Sequence, residues 1–101
     1  MVVIKLLLFA DIRDRLNEQN VTQLVIEQNV WTKAIDLLEY ILQRLVKKWK
    51  QVNIEKSCFE VPSFDAKTIM LAVNETFLDH DEPVCLNDND SVGLIPPVSG
   101  G

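Results

Sequence analysis

Hydrophobic spacing divides the chain into stretches of different period. Val2 to Ala10 is rich in β-branched and aliphatic residues and predicts a first strand. Both of its faces are apolar, which predicts an interior place in a sheet. Asp11 to Asn20 (DIRDRLNEQN) is polar, a connecting turn with room for a short helical piece. Val21 to Glu27 (VTQLVIE) alternates and predicts a second strand, paired as a hairpin with the first. Beyond Asn29 the period changes. Trp31, Ile35, Leu38, Leu42, Leu45 and Trp49 follow steps of four and three residues, one face of a helix reaching Lys50. Ala34, Leu37 and Ile41 widen that face, and Lys33, Asp36, Gln43, Lys47 and Lys48 lie opposite it. Asn29 or Thr32 can supply the N-cap oxygen. Lys47, Lys48 and Lys50 fall in the last turn, where cations oppose the helix dipole favourably. The stripe is too short for a coiled coil.

Gln51 to Lys67 has no clear period and contains Pro62, which makes it a long connection holding a short helix or an extra strand pair. Thr68 to Asn74 (TIMLAVN) predicts a third strand, again apolar on both faces. Glu75 to Pro83 is a turn with TFL as a short strand inside it, and Asn87 to Ser91 (NDNDS) is a dense turn signal. Val92 to Ile95 is a last strand, stopped by Pro96-Pro97. The order β-β-α-β-(short β)-β, with one long helix, predicts an α+β, β-grasp fold. In it a mixed sheet of four to five strands packs on that helix. No repeat or second domain interrupts the chain, so residues 1–101 read as a single domain with a flexible tail over 96–101.

Composition narrows the function classes. The chain has 101 residues, 48% hydrophobic and 25% charged, which fits one globular domain and not a disordered or fibrous one. Its net charge of −5 is uneven, with +2 over residues 1–50 and −7 over residues 51–101. That balance argues against nucleic acid as a partner. The acidic half is either a solvated surface or a steering field for a basic partner. Cys58 and Cys85, with 26 residues between them, make neither a disulfide framework nor a four-ligand zinc site. They read as reduced, partly buried thiols of an intracellular protein. Met1 to Ala10 lacks a basic leader and a cleavage site, and no apolar run is long enough to span a bilayer. The expectation is a cytoplasmic protein without a membrane partner. Asn20-Val21-Thr22 and Asn74-Glu75-Thr76 fit a glycosylation acceptor but read as coincidence without a secretion signal.

The body offers little chemistry. His80 sits in DHDE, where it is either a metal ligand or, in the plainer reading, an exposed turn residue. Asp88 and Asp90 are better explained as turn formers than as a catalytic pair. There is no HExxH, no CxxC and no glycine-rich phosphate loop, and no metal site is expected. The end of the chain differs. Only three glycines are present, against roughly seven per hundred residues in an average protein, and two of them are Gly100 and Gly101. Pro96 and Pro97 fix φ and launch the chain stiffly out of the sheet. Pro97 to Gly101 reaches at most roughly 17 Å. An end without side chains can enter a narrow channel and offer only backbone and a carboxylate. By itself, a Gly-Gly terminus is equally a frayed end.

LIPPVSGG, Leu94 to Gly101, resembles the C-terminus of the small subunit of molybdopterin synthase, a ubiquitin-like sulfur-carrier family. LLLFADIRDRL resembles that family's first strand and the segment after it, with Phe9, Ala10 and Arg13 in place, Asp14 where Glu is common and Asn17 where glycine is common. Leu71 to Asn74 (LAVN) resembles its third-strand motif. LNDNDSVGLIPPVSGG resembles its closing hairpin, with Ser91 in place of the usual Glu. Residues 50–66 do not match. The resemblance implies a carrier subunit, with catalytic lysine and arginine residues expected in a large subunit. An activating enzyme of the ubiquitin-activating type would adenylate Gly101 using ATP and Mg²⁺. A thiocarboxylate would follow, and its sulfur would build the dithiolene of the pterin cofactor. ATP and AMP would be transient, with no permanently bound cofactor. Gly101 would be the reacting residue, Gly100 would permit close approach, and Pro96, Pro97, Val98 and Ser99 would direct the tail. Phe9 and other apolar residues of an exposed sheet face are docking candidates for the large subunit, in an expected heterotetramer, and equally good as core. A modifier joined to proteins through Gly101 is the alternative. A carrier of another pathway, such as thiamine synthesis, fits Pro96-Pro97 less well.

Overall fold

In the computed structural model, which describes residues 1–16, 21–54 and 61–96, the first predicted strand resolves into two unlike faces. Strand β1 (Val2–Leu8) buries Val2, Ile4, Leu6 and Leu8 and turns Val3, Lys5 and Leu7 the other way. It pairs antiparallel with β2 (Val21–Ile26) and parallel with the last strand, β7 (Ser91–Ile95). On its far side β7 pairs antiparallel with β4 (Met70–Val73), which turns back into β5 (Thr76–Leu78). The five-stranded sheet therefore runs β2-β1-β7-β4-β5. A separate two-residue ladder joins β3 (Val30–Trp31) to β6 (Val84–Cys85).

Helix α2 (Ala34–Val52) covers one face of the sheet. Leu37, Leu38, Ile41 and Leu45 are fully buried in one cluster with Ile4, Leu6, Leu71 and Leu94. The whole is the predicted α+β, β-grasp arrangement, one long helix on a mixed sheet. Residues after Leu8 do not prolong the strand as expected. Ala10–Leu16 forms a short helix, α1, whose Ile12 and Leu16 join the core.

The start of α2 departs from its periodic pattern. Trp31 is spaced as a helical residue but pairs with Val84 in β3. Its indole N–H donates to the Gln28 carbonyl at 2.8 Å. Neither Asn29 nor Thr32 caps the helix. Lys33 holds the cap position and its side chain makes no capping bond. Distant carbonyls do the capping: Ala34 N–H donates to Glu82 O at 2.7 Å and Ile35 N–H to His80 O at 3.0 Å. His80 is thus half-buried and not exposed, and its Nε2 donates to the Ile69 carbonyl at 2.8 Å. At the other end, both the backbone N–H and Nδ2 of Asn53 donate to Trp49 O. Lys50 remains in the last turn. The 50–66 stretch holds the end of this helix, and the 3₁₀ turn Ala66–Thr68 follows it.

The acidic turns do structural work. Asn74 and Glu75 both have positive φ, 50° and 71°, the backbone of a tight hairpin turn between β4 and β5. Asn74 Nδ2 donates to Asp90 Oδ1 and its Oδ1 accepts from Ser91 N–H. Asp88 Oδ1 accepts from Val3 N–H at 2.9 Å, and Asp90 Oδ2 accepts from Asn87 N–H at 2.8 Å. The NDNDS segment therefore ties the hairpin and β1 together at one end of the sheet, as its turn reading predicts.

Asn74→Ala loses both side-chain bonds and places a Cβ-bearing residue without local help at positive φ, so it should cost about 1–3 kcal/mol. Asn74→Gly keeps the backbone freedom and should cost less. Urea midpoints of the two variants check this. Equal stability of both with the parent would remove Asn74 as the pin.

Candidate functional site

The second face of the sheet has no helix over it among the described residues. Register places Leu7, Gly93, Ala72 and Phe77 side by side across four strands, because Leu7 pairs with Gly93, Gly93 with Ala72 and Ala72 with Phe77. Met70 and Ile95 form the next pair along. Phe9 follows β1 and is 44% exposed, Met70 is 44% exposed and Phe77 60%. These apolar residues stand next to one another across four strands, so they form a continuous row and not singly scattered side chains.

Gly93 explains how the row is shaped. A Cβ at Gly93 would lie 3.4 Å from Phe9 Cε2 and 3.9 Å from Ala72 Cβ. An edge of the Phe9 ring therefore lies beside the bare backbone of the central strand, within van der Waals contact of the place a Cβ would take. Around it Leu7, Phe9, Ala72, Phe77, Gly93 and Ile95 line a concavity of about 450 Å³, rimmed by Asn74, Glu75 and Ser91. Such a hollow accepts an apolar side chain or ring from a partner and orients it by the polar rim.

The same strand that supplies Gly93 carries the chain out. β7 lies between β1 and β4, and ends at Ile95 beside Met70. Pro96 follows, half-buried. The tail thus begins at the centre of the sheet, at the edge of the apolar row. Of the sequence candidates, Phe9 and Pro96 are brought to this one region. Pro97, Val98, Ser99, Gly100 and Gly101 lie outside the described residues, as does Cys58. Cys85 is free and exposed, where a partly buried thiol was expected. Within α1 the ion pair of Arg13 Nε with Asp14 Oδ1 at 3.6 Å is solvent-facing and contributes little. Among the described residues no three of His, Cys, Asp and Glu gather into a metal-holding group. No helix among them is long and apolar enough to cross a membrane.

Met70, Ile95 and Phe77 were missed as site residues. For Met70 a signal was available, because both alternating sets of TIMLAVN are apolar and a single helix can cover only one of them; the sets in SVGLI and TFL are too short or mixed to read.

Comparison with known proteins gives a consistent picture. The model of the ThiS family matches residues 6–101. A molybdopterin synthase sulfur carrier subunit of Dictyostelium discoideum is 28% identical over 98 residues, covering 96% of this chain and 94% of that protein. The solution structure of small archaeal modifier protein 1 from Methanosarcina acetivorans superposes with a TM-score of 0.59 at 26% identity, covering 100% of this chain and 98% of that one. The crystal structure of its namesake from Haloferax volcanii superposes with a TM-score of 0.58 at 20% identity, covering 98% of this chain and 99% of that one. At that identity the likeness speaks for the ubiquitin-like fold alone.

Gly93→Val, whose methyl groups reach beyond the place of a Cβ, should displace the half-exposed Phe9 ring from β7 at a cost of about 1 kcal/mol. Nuclear Overhauser contacts between Phe9 ring protons and the Gly93 Hα atoms report the seat directly. Contacts that persist to residue 93 in the Val variant, with unchanged stability, would contradict it.

Proposed function

This chain belongs to the ThiS family, and we propose that it is a sulfur carrier that works through the carboxyl group of Gly101. The observation that carries the reading is the match of the family over residues 6–101, which runs through the Gly-Gly end and not only the body. The likeness to a molybdopterin synthase sulfur carrier subunit directs the proposal to molybdenum cofactor synthesis.

The chemistry follows from the terminus. A carboxylate resists attack because its leaving group would be oxide. Attack by the Gly101 carboxylate on the α-phosphorus of ATP forms an acyl–phosphate bond and releases pyrophosphate. A sulfur nucleophile then attacks the acyl carbon, a C–S bond forms, and AMP leaves with the C–O bonding pair. Glycine at 100 and 101 lets the nucleotide and the walls of a partner's channel approach the backbone closely. Pro96 and Pro97 make the departure from β7 stiff, which lowers the ordering cost of threading Val98, Ser99 and the glycines into that channel.

In this reading the partners are an adenylating and sulfur-transferring enzyme and the large subunit of molybdopterin synthase, assembled as a heterotetramer. The large subunit holds the pterin precursor and the catalytic residues, and this chain acts as co-substrate in the cytoplasm. The apolar row around Phe9 is the docking face for the body, and the adjacent tail reaches the partner's reaction centre. Mg²⁺ and ATP belong to the activating enzyme.

A second reading has its own support, the 26% identical small archaeal modifier protein over the full chain. A modifier uses the same adenylate but passes the acyl group to a lysine amine, forming an isopeptide bond.

Removing Gly101, or adding one residue after it, should abolish rescue of a carrier-deficient cell while thermal unfolding stays unchanged. Full rescue by the truncated chain would sink the proposal. The two readings separate by peptide mass mapping of cell extracts. The modifier reading requires lysines joined by an isopeptide bond to a fragment of this chain ending in Gly101, which is Thr68–Gly101 after cleavage at Lys and Arg, and their absence under activating conditions leaves the carrier alone.

A further inference from the structure

We propose that the free edge of β2, together with the groove between β2 and α2, takes up an extended acidic peptide as an added strand of the sheet. The surface lies apart from the apolar row and the tail. It concerns the opposite, helix-covered side of the sheet, and stands independently of the sulfur-carrier reading.

Two observations carry it. The first is the character of the edge. β2 ends the sheet order, and its six residues pair in unbroken register with β1, from Val2↔Ile26 to Leu7↔Val21. Edge strands are ordinarily kept from pairing by brevity, proline, charge or a bulge. VTQLVI carries no proline and no charge, and no bulge interrupts it. The other edge strand, β5, has only three residues. Among the described residues no strand covers the outer edge of β2.

The second is the groove beside that edge. Leu24, Arg44, Lys47, Lys48 and Gln51 line a hollow of about 330 Å³. Leu24 is only partly buried although it points to the helix side. Lys47 and Lys48 are exposed. Arg44 is held in place: its guanidinium stands 5.7 Å from the Tyr40 ring and Nη1 donates to the Tyr40 hydroxyl at 3.3 Å. Tyr40 stacks in turn on Trp31 at 5.3 Å. Among the described residues three cations and no carboxylate line the hollow, on a chain whose net charge is −5. Backbone pairing along β2 supplies affinity for any extended chain, an apolar side chain fills the place over Leu24, and the cations select carboxylates beside it. The occupant is therefore an extended segment of another protein, with alternating aliphatic residues flanked by Asp or Glu.

The test uses the full chain, labelled with ¹⁵N, and a capped peptide Asp-Val-Ile-Val-Leu-Asp-Glu-Glu. Saturable shifts should appear at the amides of Gln23, Leu24 and Val25 and at Arg44, Lys47, Lys48 and Gln51. Exchange of the β2 amides that point away from β1 should slow. Replacing the acidic residues of the peptide by Lys should weaken binding at least about tenfold, a change that leaves the protein untouched. Lys47→Glu should weaken binding in the same direction, with the amide spectrum away from β2 and α2 unchanged as the check on the fold. Absence of saturation at about 1 mM peptide, the range of negligible affinity, overturns the proposal. So do shifts confined to the neighbourhood of Phe9 and Phe77, or affinity indifferent to charge. Concentration-dependent self-association of the free chain through β2 would assign the edge to a second copy and also overturn it.

Discussion

The parallel pairing of the first strand with the last is the constraint on which the rest depends. Lys5 to Leu8 lie against Ser91 to Leu94, so the end of the chain is a central strand and not an edge. Parallel neighbours need a long crossover between them, and here nearly the whole domain is that crossover, including α2. The arrangement also fixes where the tail starts. Pro96 leaves the middle of a five-stranded sheet, held on both sides by β1 and β4, and not a fraying margin. A reactive terminus needs such a root, because motion at the root is amplified along every residue beyond it.

One helix on one sheet creates the second feature. α2 buries one face, and the other, with no helix over it among the described residues, carries the apolar row from Leu7 to Phe77. The absence of a side chain at Gly93 leaves room for the Phe9 ring beside β7 and shapes a hollow near the tail's root. The root of the tail and the apolar hollow are thus products of the same strand. The turns that hold this strand in register, Asn74 against Asp90 and Ser91, and Asp88 against Val3, use the acidic residues that chemistry leaves idle.

Much of this was legible in the chain, and the failures have physical causes. α2 is 19 residues of unambiguous period, so it was readable; its start was not, because Trp31 in β3 happens to continue the spacing. Its cap was unreadable because the carbonyls of His80 and Glu82, far along the chain, replace a local side chain. The β3–β6 ladder is too short for any periodicity to register. Apolar residues on both faces of β1 and β4 gave interior strands correctly, yet sequence cannot separate a face buried in the core from one kept for a partner. A glycine inside a strand, such as Gly93, marks a place where another group comes close, but the ring that does so is known only once Phe9 is placed.

The central claim concerns one atom at the end of the chain, the oxygen of the Gly101 carboxyl that sulfur replaces. Intact-protein mass spectrometry after incubation with the activating enzyme, ATP, Mg²⁺ and a sulfur donor tests it most directly. The account predicts a gain equal to the difference between one sulfur and one oxygen, localised to the C-terminal peptide and lost when Gly101 is deleted. An unchanged mass in a system that thiolates another carrier would contradict it.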